Sequence, residues 1–155
     1  MTTVILPFRK WPIQIDEAKG ISYYVVKPLL IVTLNPEGKE HLGPLVPFYA
    51  EIDTGADLTV FPGHVAESLG FNITEGRPKR ISGIGGSILC YAHRIGLTIE
   101  YPEKPDFFRP SFSGLAYFSN ELNKLPWGLL GEDILSQMKM KLSIDYKNLF
   151  IELTY

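Results

Sequence analysis

The stretch Asp53-Thr54-Gly55-Ala56-Asp57 places two carboxylates, a hydroxyl and a glycine within a few residues of one another. It follows the apolar run Val46-Pro47-Phe48-Tyr49-Ala50-Glu51-Ile52 and precedes Leu58-Thr59-Val60-Phe61, so it reads as a tight loop between two buried strands. A carboxylate presented in this way can act as a general acid or base. Hydrolysing a peptide bond without a metal or a covalent nucleophile needs both roles: a base activates water and an acid protonates the departing amine. Two carboxyls that share one proton supply the pair, provided they lie too close for both to ionise. The same residues also suit a plainer part, a loop Asp whose side chain caps its own turn.

Two further segments bear on that choice. Ile81-Ser82-Gly83-Ile84-Gly85-Gly86-Ser87-Ile88 sets a glycine-rich tip between two strand-like arms. Gly128-Leu129-Leu130-Gly131-Glu132-Asp133-Ile134-Leu135 is an apolar pair, a glycine and then a helix start. Taken singly, the first suits a plain hairpin turn and the second a piece of core. In this order, behind the Asp53 loop, the three segments resemble the retropepsins, the retroviral proteases and their cellular relatives, over residues 45–155. The tail Leu142-Ser143-Ile144-Asp145-Tyr146 and Leu149-Phe150-Ile151-Glu152 is most similar to the cellular, ubiquitin-receptor-associated branch.

The resemblance implies an aspartic endopeptidase acting on extended polypeptide. Its catalytic residues would be Asp53, Thr54 and Gly55. The loop occurs once, so a second identical chain would supply the other acid. Thr54 would hydrogen-bond across the dimer axis, and Gly55 would let the two backbones approach it. Gly83, Ile84, Gly85 and Gly86 would form a flap that lays its N–H groups on the substrate by strand addition. Ala56, Asp57, Leu129 and Trp127 would contact substrate, with Pro126 and Trp127 on a pocket wall and Leu130 in the core. Retroviral members usually carry Arg where this chain has Glu132, and that Arg pairs with the acid at the position of Asp57. Glu132 is therefore expected beside Asp57, acid against acid. The alternative is a retropepsin-fold module that dimerises or binds peptide without cutting it.

A length of 155 residues suits one domain, with 1–45 as an N-terminal extension and first strands and 46–155 as the core. Hydrophobic content of 45% and charged content of 21% are those of a globular chain. A formal charge of −2 gives no electrostatic reason to expect nucleic acid. The basic cluster Arg77-Pro78-Lys79-Arg80 reads as a solvated strand end. Cys90 is the single cysteine, which suits a reducing compartment. No secretory leader is legible and the longest apolar stretch, Tyr23 to Leu34, is broken by Lys27 and Pro28. A soluble, cytoplasmic protein with no membrane partner is expected. Cys90 and His93 are three apart on a probable strand, hence on opposite faces, and with His41 and His64 they make no metal-ligand pattern. Neither metal nor cofactor is expected.

The elements that must position these residues are mostly β. Residues 1–20 read as an irregular arm or edge strand, and Ile21 to Leu34 as a strand broken or bulged near Lys27-Pro28. Asn35-Pro36-Glu37-Gly38 is a turn and Val46 to Ile52 a strand. Pro62 to Gly70 reads as a short helix, with proline at its start and glycine past its end. Arg80–Gly83 and Ser87–Glu100 make a hairpin, Tyr101–Pro110 a loop and Ser113–Phe118 a strand. Ile134, Leu135 and Met138 recur at helical spacing and predict a helix over Asp133–Met140. Strands Leu142–Asp145 and Leu149–Leu153 close the chain. The class is mostly β with one or two short helices, and the resemblance implies a retropepsin-like closed β-barrel with a glycine-rich flap hairpin and one C-terminal helix.

Overall fold

The computed structural model describes residues 1–16, 18–39 and 42–155, so His41 lies outside the described residues. In chain order the strands are β1 (Thr3–Pro7), β2 (Arg9–Asp16), β3 (Ile21–Lys27), β4 (Leu29–Pro36), β5 (Val46–Ile52), β6 (Val60–Pro62), β7 (Arg77–Gly83), β8 (Gly86–Glu100), β9 (Ser111–Ser119), β10 (Gly128–Leu130), β11 (Lys141–Asp145) and β12 (Phe150–Thr154). The α-helices among the described residues are short, α1 (Gly63–Ser68) and α2 (Glu132–Leu135). The chain divides into two compact units, one of Leu30–Met138 and one that combines Met1–Leu29 with Lys139–Tyr155.

The larger unit is a closed barrel. Its ring runs β4-β5-β10-β6-β9-β8, and the pairing of β4 with β8 closes it, while β7 extends from β8 as the free arm of a hairpin. β5 pairs with β10 and β6 with β9 in parallel, whereas β8 is antiparallel to β4, β7 and β9. Alternation explains the interior: Leu30, Val32 and Leu34 of β4 and Ile95, Leu97 and Ile99 of β8 are buried at every second position. Nearer the hairpin the buried residues of β8 are Cys90 and Ala92. The inward set thus changes parity between Ala92 and Ile95, and one long strand serves two apolar clusters.

α1 is anchored at both ends without a conventional cap. Pro62 precedes it and cannot supply a side-chain hydrogen bond, so Asn123 Oδ1 accepts from the His64 N–H at 3.0 Å. At its other end Gly70 adopts φ 81° and donates to Glu67 O at 2.9 Å, which only glycine does without strain.

The smaller unit holds an antiparallel sheet in the order β1-β12-β11 and a two-stranded ribbon of β2 and β3. Val4 and Leu6 of β1 and Ile151 and Leu153 of β12 are its buried residues. The turn between β11 and β12 is tied by Asp145, which accepts from the N–H groups of Lys147 and Asn148 at 2.9 and 2.8 Å. Those bonds, the one from Asn148 first, hold its carboxyl below the usual carboxylate range.

Most expected elements are present, with three differences. The first twenty residues, read as an irregular arm or an edge strand, hold two strands: β1 is an edge strand paired with β12, and β2 pairs with β3 through a register shift between Pro12 and Gln14. A partner some 150 residues away leaves no local signature. The break at Pro28 is more than a bulge, because β3 and β4 belong to different sheets. The helix expected over Asp133–Met140 stops at Leu135. Ser136 N–H still bonds Glu132 O, but Gln137 and Met138 bond the carbonyls three residues back, and Lys139 takes φ 32°. The tightened turn buries Met138 at 4% exposure, so helical spacing of apolar residues is satisfied without continuing the helix.

The closure of the barrel gives a test. Asn35 of β4 faces Gly96 of β8, and its buried amide occupies the space above that glycine, where a Cβ would meet Oδ1 at 2.6 Å. Gly96→Ala is expected to force the amide aside and cost about 1–3 kcal/mol, as overpacking does. Urea unfolding checks this; an unchanged midpoint would mean that Asn35 moves freely.

Candidate active site

The loop after β5 is fixed first through its backbone. β10 runs parallel to β5 with Leu130 beside Ile52, and the ladder continues one step as Asp53 N–H donates to Leu130 O at 3.0 Å. Inside the loop, Asp53 Oδ1 accepts from Gly55 N–H at 3.0 Å and Asp53 O from Ala56 N–H at 3.2 Å. The turn-capping role and a chemical role are therefore compatible: one oxygen of Asp53 is used to hold the turn. No hydrogen bond among the described residues engages its other oxygen. Asp53 is half-buried, while Thr54 and Gly55 are exposed.

A second set of contacts clamps the far side of the loop. Thr59, fully buried, donates its hydroxyl to Asp133 Oδ1 at 2.7 Å and its N–H to Asp133 Oδ2 at 3.0 Å. The same hydroxyl accepts from Gly131 N–H at 3.1 Å. Glu132 N–H bonds Ala56 O at 2.8 Å and Asp133 N–H bonds Asp57 O at 3.2 Å. The chains approach so closely that a Cβ on Gly131 would lie 2.5 Å from the Leu58 carbonyl carbon and 2.8 Å from Ala56 O. Backbone cannot yield as a side-chain tip can, so glycine is required here.

Loop and flap enclose a cleft of about 910 Å³. Asp53, Gly55, Ala56 and Asp57 line it on one side and Gly83, Ile84, Gly85 and Gly86 on the other. Leu58, Val60, Ile81, Ile88, Leu122 and Leu129 supply its apolar walls. The flap is a tight hairpin in which Gly83 faces Gly86 across the turn Ile84-Gly85. Among the tip glycines only Gly86 has positive φ, 123°, and a Cβ on Gly83 or Gly85 would meet nothing within 4 Å. Ile84 is wholly exposed at the tip.

Of the residues expected to act on or contact substrate, the cleft brings together all but Thr54, Pro126 and Trp127. Thr54 is exposed but does not line it, and Trp127 is buried at 9% exposure away from its lining. Leu130 is core, fully buried, whereas its neighbour Leu129 reaches the cleft. Glu132 meets the loop through its backbone only. Among the described residues no hydrogen bond or ion pair joins the exposed carboxylates of Glu132 and Asp57. The acid that fastens helix α2 to the loop is the next one, Asp133, which the sequence marked only as the start of a helix. Thr59, buried and polar between Leu58 and Val60, was the available signal for it. Lys79 and Arg80 of β7 also line the cleft, a part the sequence reading did not give them.

Cys90 is buried, and burial pushes its thiol up to about 11, so it is a core residue and no nucleophile. His93 stacks on Phe71 with ring centroids 4.6 Å apart, and its Nε2 meets Ile73 O at 2.9 Å. Among the described residues no three His, Cys, Asp or Glu side chains come together in a way that could hold a metal. Among them, too, no helix is long and apolar enough to cross a membrane.

Residues 38–101, from the turn before β5 to the end of β8, match the family model "Aspartyl protease". The fold is similar to that of the EIAV protease complexed with the inhibitor HBY-793, with a TM-score of 0.50 and 22% identity over 76% of this chain and 93% of that one. No curated protein matches the sequence. The fold is therefore similar to that of a retroviral protease, a mostly β closed barrel with few helices.

The Thr59 clamp predicts its own measurement. Thr59→Val keeps the shape but leaves Gly131 N–H without its acceptor and removes one donor from Asp133. The expected loss is about 1–3 kcal/mol in urea unfolding, with much of it restored in Thr59→Ser. Equal stability of the Val variant and the parent would show that the hydroxyl does not hold the loop.

Proposed function

We propose that the protein is an aspartic endopeptidase that cleaves extended polypeptides as a homodimer, with Asp53 of each copy forming the catalytic pair. The observation that carries this reading is the place of Asp53. Its carboxylate, with one oxygen engaged in its own turn, lines, beside Asp57, a cleft whose opposite side is a glycine hairpin. One such acid per chain is half of the required chemistry, and a two-fold symmetric pair completes it.

The proposed reaction draws its groups from two copies of this chain and water. Two carboxyls held together share one proton, because like charges a few ångströms apart cannot both ionise. The ionised Asp53 takes a proton from water as its oxygen bonds the scissile carbonyl carbon. The protonated Asp53 of the partner subunit gives its proton to the carbonyl oxygen, forming a neutral gem-diol. A proton then passes to the amide nitrogen as the C–N bond breaks, a diol hydroxyl returns its proton to the pair, and acid and amine products leave. Thr54, exposed beside the cleft, is proposed to bond across the dimer axis, and Gly55 to let the loops meet there. Ala56, Asp57 and Leu129 would contact substrate on one side. The tip Gly83–Gly86 would pair with the substrate backbone on the other, where the absence of side chains leaves room for it. The buried position of Trp127 favours a supporting role behind the pocket.

Two tests follow from this arrangement. Asp53→Asn keeps the shape of the turn, since an amide oxygen still accepts from Gly55 N–H, but cannot exchange the proton. Cleavage of unfolded protein is expected to fall by at least about 10²–10⁴-fold with the fold retained. Activity of the parent should also fall on dilution as dimers dissociate. Mass spectrometry of fragments and sedimentation check both; near-parent cleavage by the Asn variant would leave the peptide-binding module as the better reading.

The flap offers a separation of turnover from stability. Gly85→Val meets nothing in the free chain, so its unfolding midpoint should move by no more than about 0.5 kcal/mol. Its side chain would stand where the substrate backbone has to lie, so turnover should drop far more than stability. Gly86→Val, at φ 123°, should cost about 1–3 kcal/mol of local strain in addition. Unchanged turnover in Gly85→Val would make the tip an ordinary turn.

A further inference from the structure

Behind the flap arm lies a second cavity, of about 410 Å³, lined by Arg77, Pro78 and Lys79 of β7, Ala92 of β8 and Leu115 and Tyr117 of β9. We propose that it is a distal subsite for an acidic side chain of the polypeptide whose scissile bond lies in the cleft; the assignment of that polypeptide as a substrate rests on the protease reading. Several independent features place the two cavities on one path. Lys79 lines both of them. Val60, Cys90, Ala92 and Tyr117 form one buried cluster, with Leu58, Ile81, Ile88 and Leu122 packed against it. Those packing residues and Val60 wall the cleft, while Ala92 and Tyr117 wall the second cavity. A chain leaving the cleft past Lys79 therefore runs onto the same apolar backing.

Charge sets the chemistry of what it would meet. Arg77, Ala92 and Tyr117 stand opposite one another across three strands, so the guanidinium edges an apolar floor. Among the described residues neither Arg77 nor Lys79 forms an ion pair, and the Lys79 ammonium sits 5.7 Å from the centre of the Tyr117 ring. Both side chains are exposed. Two unpaired cations over Ala92, Leu115 and Tyr117 suit a Glu or Asp, whose carboxylate meets the cations while its methylenes cover the floor. Lysine there would be repelled. Lys79 is four residues from Gly83 along β7, ~13 Å of strand. Selection is therefore exerted several residues from the scissile bond.

The test uses extended fluorescent peptides in which one Glu is walked outward from the cleavage site, each against its Gln and Lys counterparts. The parent should prefer Glu by about two- to fivefold in kcat/KM at one outlying position, through KM. The preference should vanish in Arg77→Gln/Lys79→Gln and fade at ~1 M salt. The same peptides bound to the Asp53→Asn protein, followed by fluorescence anisotropy, should show the same ranking without any cleavage. Equal affinity for Glu and Gln at every position, or a preference that survives the double substitution, overturns the subsite. A Glu preference in binding with no cleavage by the parent would uphold the subsite and overturn the protease reading instead.

Discussion

The carboxylate of Asp133 is the interaction on which the site depends. It accepts the hydroxyl and the N–H of Thr59 and the N–H of Ile134, bonds that span 74 residues of chain in the longest case. A buried hydroxyl and a partly buried charge are tolerable only when each of their hydrogen-bonding positions is filled. Here the filling groups come from the loop after Asp53 on one side and from the start of α2 on the other. Satisfying them leaves the loop little freedom. β10 is then drawn alongside β5, Asp53 N–H meets Leu130 O, and Gly131 is pressed against the Ala56–Leu58 backbone.

That rigidity contrasts with the opposite side of the cleft. Among the described residues the flap tip has no packing partner: Ile84 is fully exposed, and positions 83 and 85 have open space around them. Glycine thus serves three distinct needs in one site. At Gly131 it permits backbone approach, at Gly86 it permits positive φ, and at Gly83 and Gly85 it leaves a surface of bare peptide groups. A fixed acid beneath an accommodating backbone suits a substrate recognised by its extended main chain, with the apolar walls reading alternate side chains.

The cleft is also electrically two-sided. Asp53 and Asp57 lie along one side, Lys79 and Arg80 along the other. Charges separated across a solvated cleft do not collapse onto one another, so each remains available to a chain lying between them. The apolar cluster centred on Cys90 and Tyr117 backs this arrangement, and its burial is why the lone thiol is inert. The lone cysteine therefore acts as core, and the strand that carries it does the positioning.

The sequence by itself determined the local parts. Val46–Ile52 was legible as a strand to the residue, the Asp53 turn and the glycine hairpin were legible from residues with few conformational alternatives, and the mostly β class followed from the elements, its closed barrel only from the resemblance to the retropepsins. Periodicity also marked Ile134 and Met138 as buried, but it could not tell a continued helix from a tightened turn, because both bury residues at that spacing. Only the tertiary structure decided that β1 pairs with β12, that the Asp133 side chain rather than that of Glu132 holds the loop, that Trp127 is buried outside the cleft lining, and that the basic cluster at the start of β7 lines two cavities. Each of these rests on a contact between residues far apart in the chain. Such contacts are chosen by which buried polar groups and apolar faces can be satisfied together, and no window of sequence contains both partners.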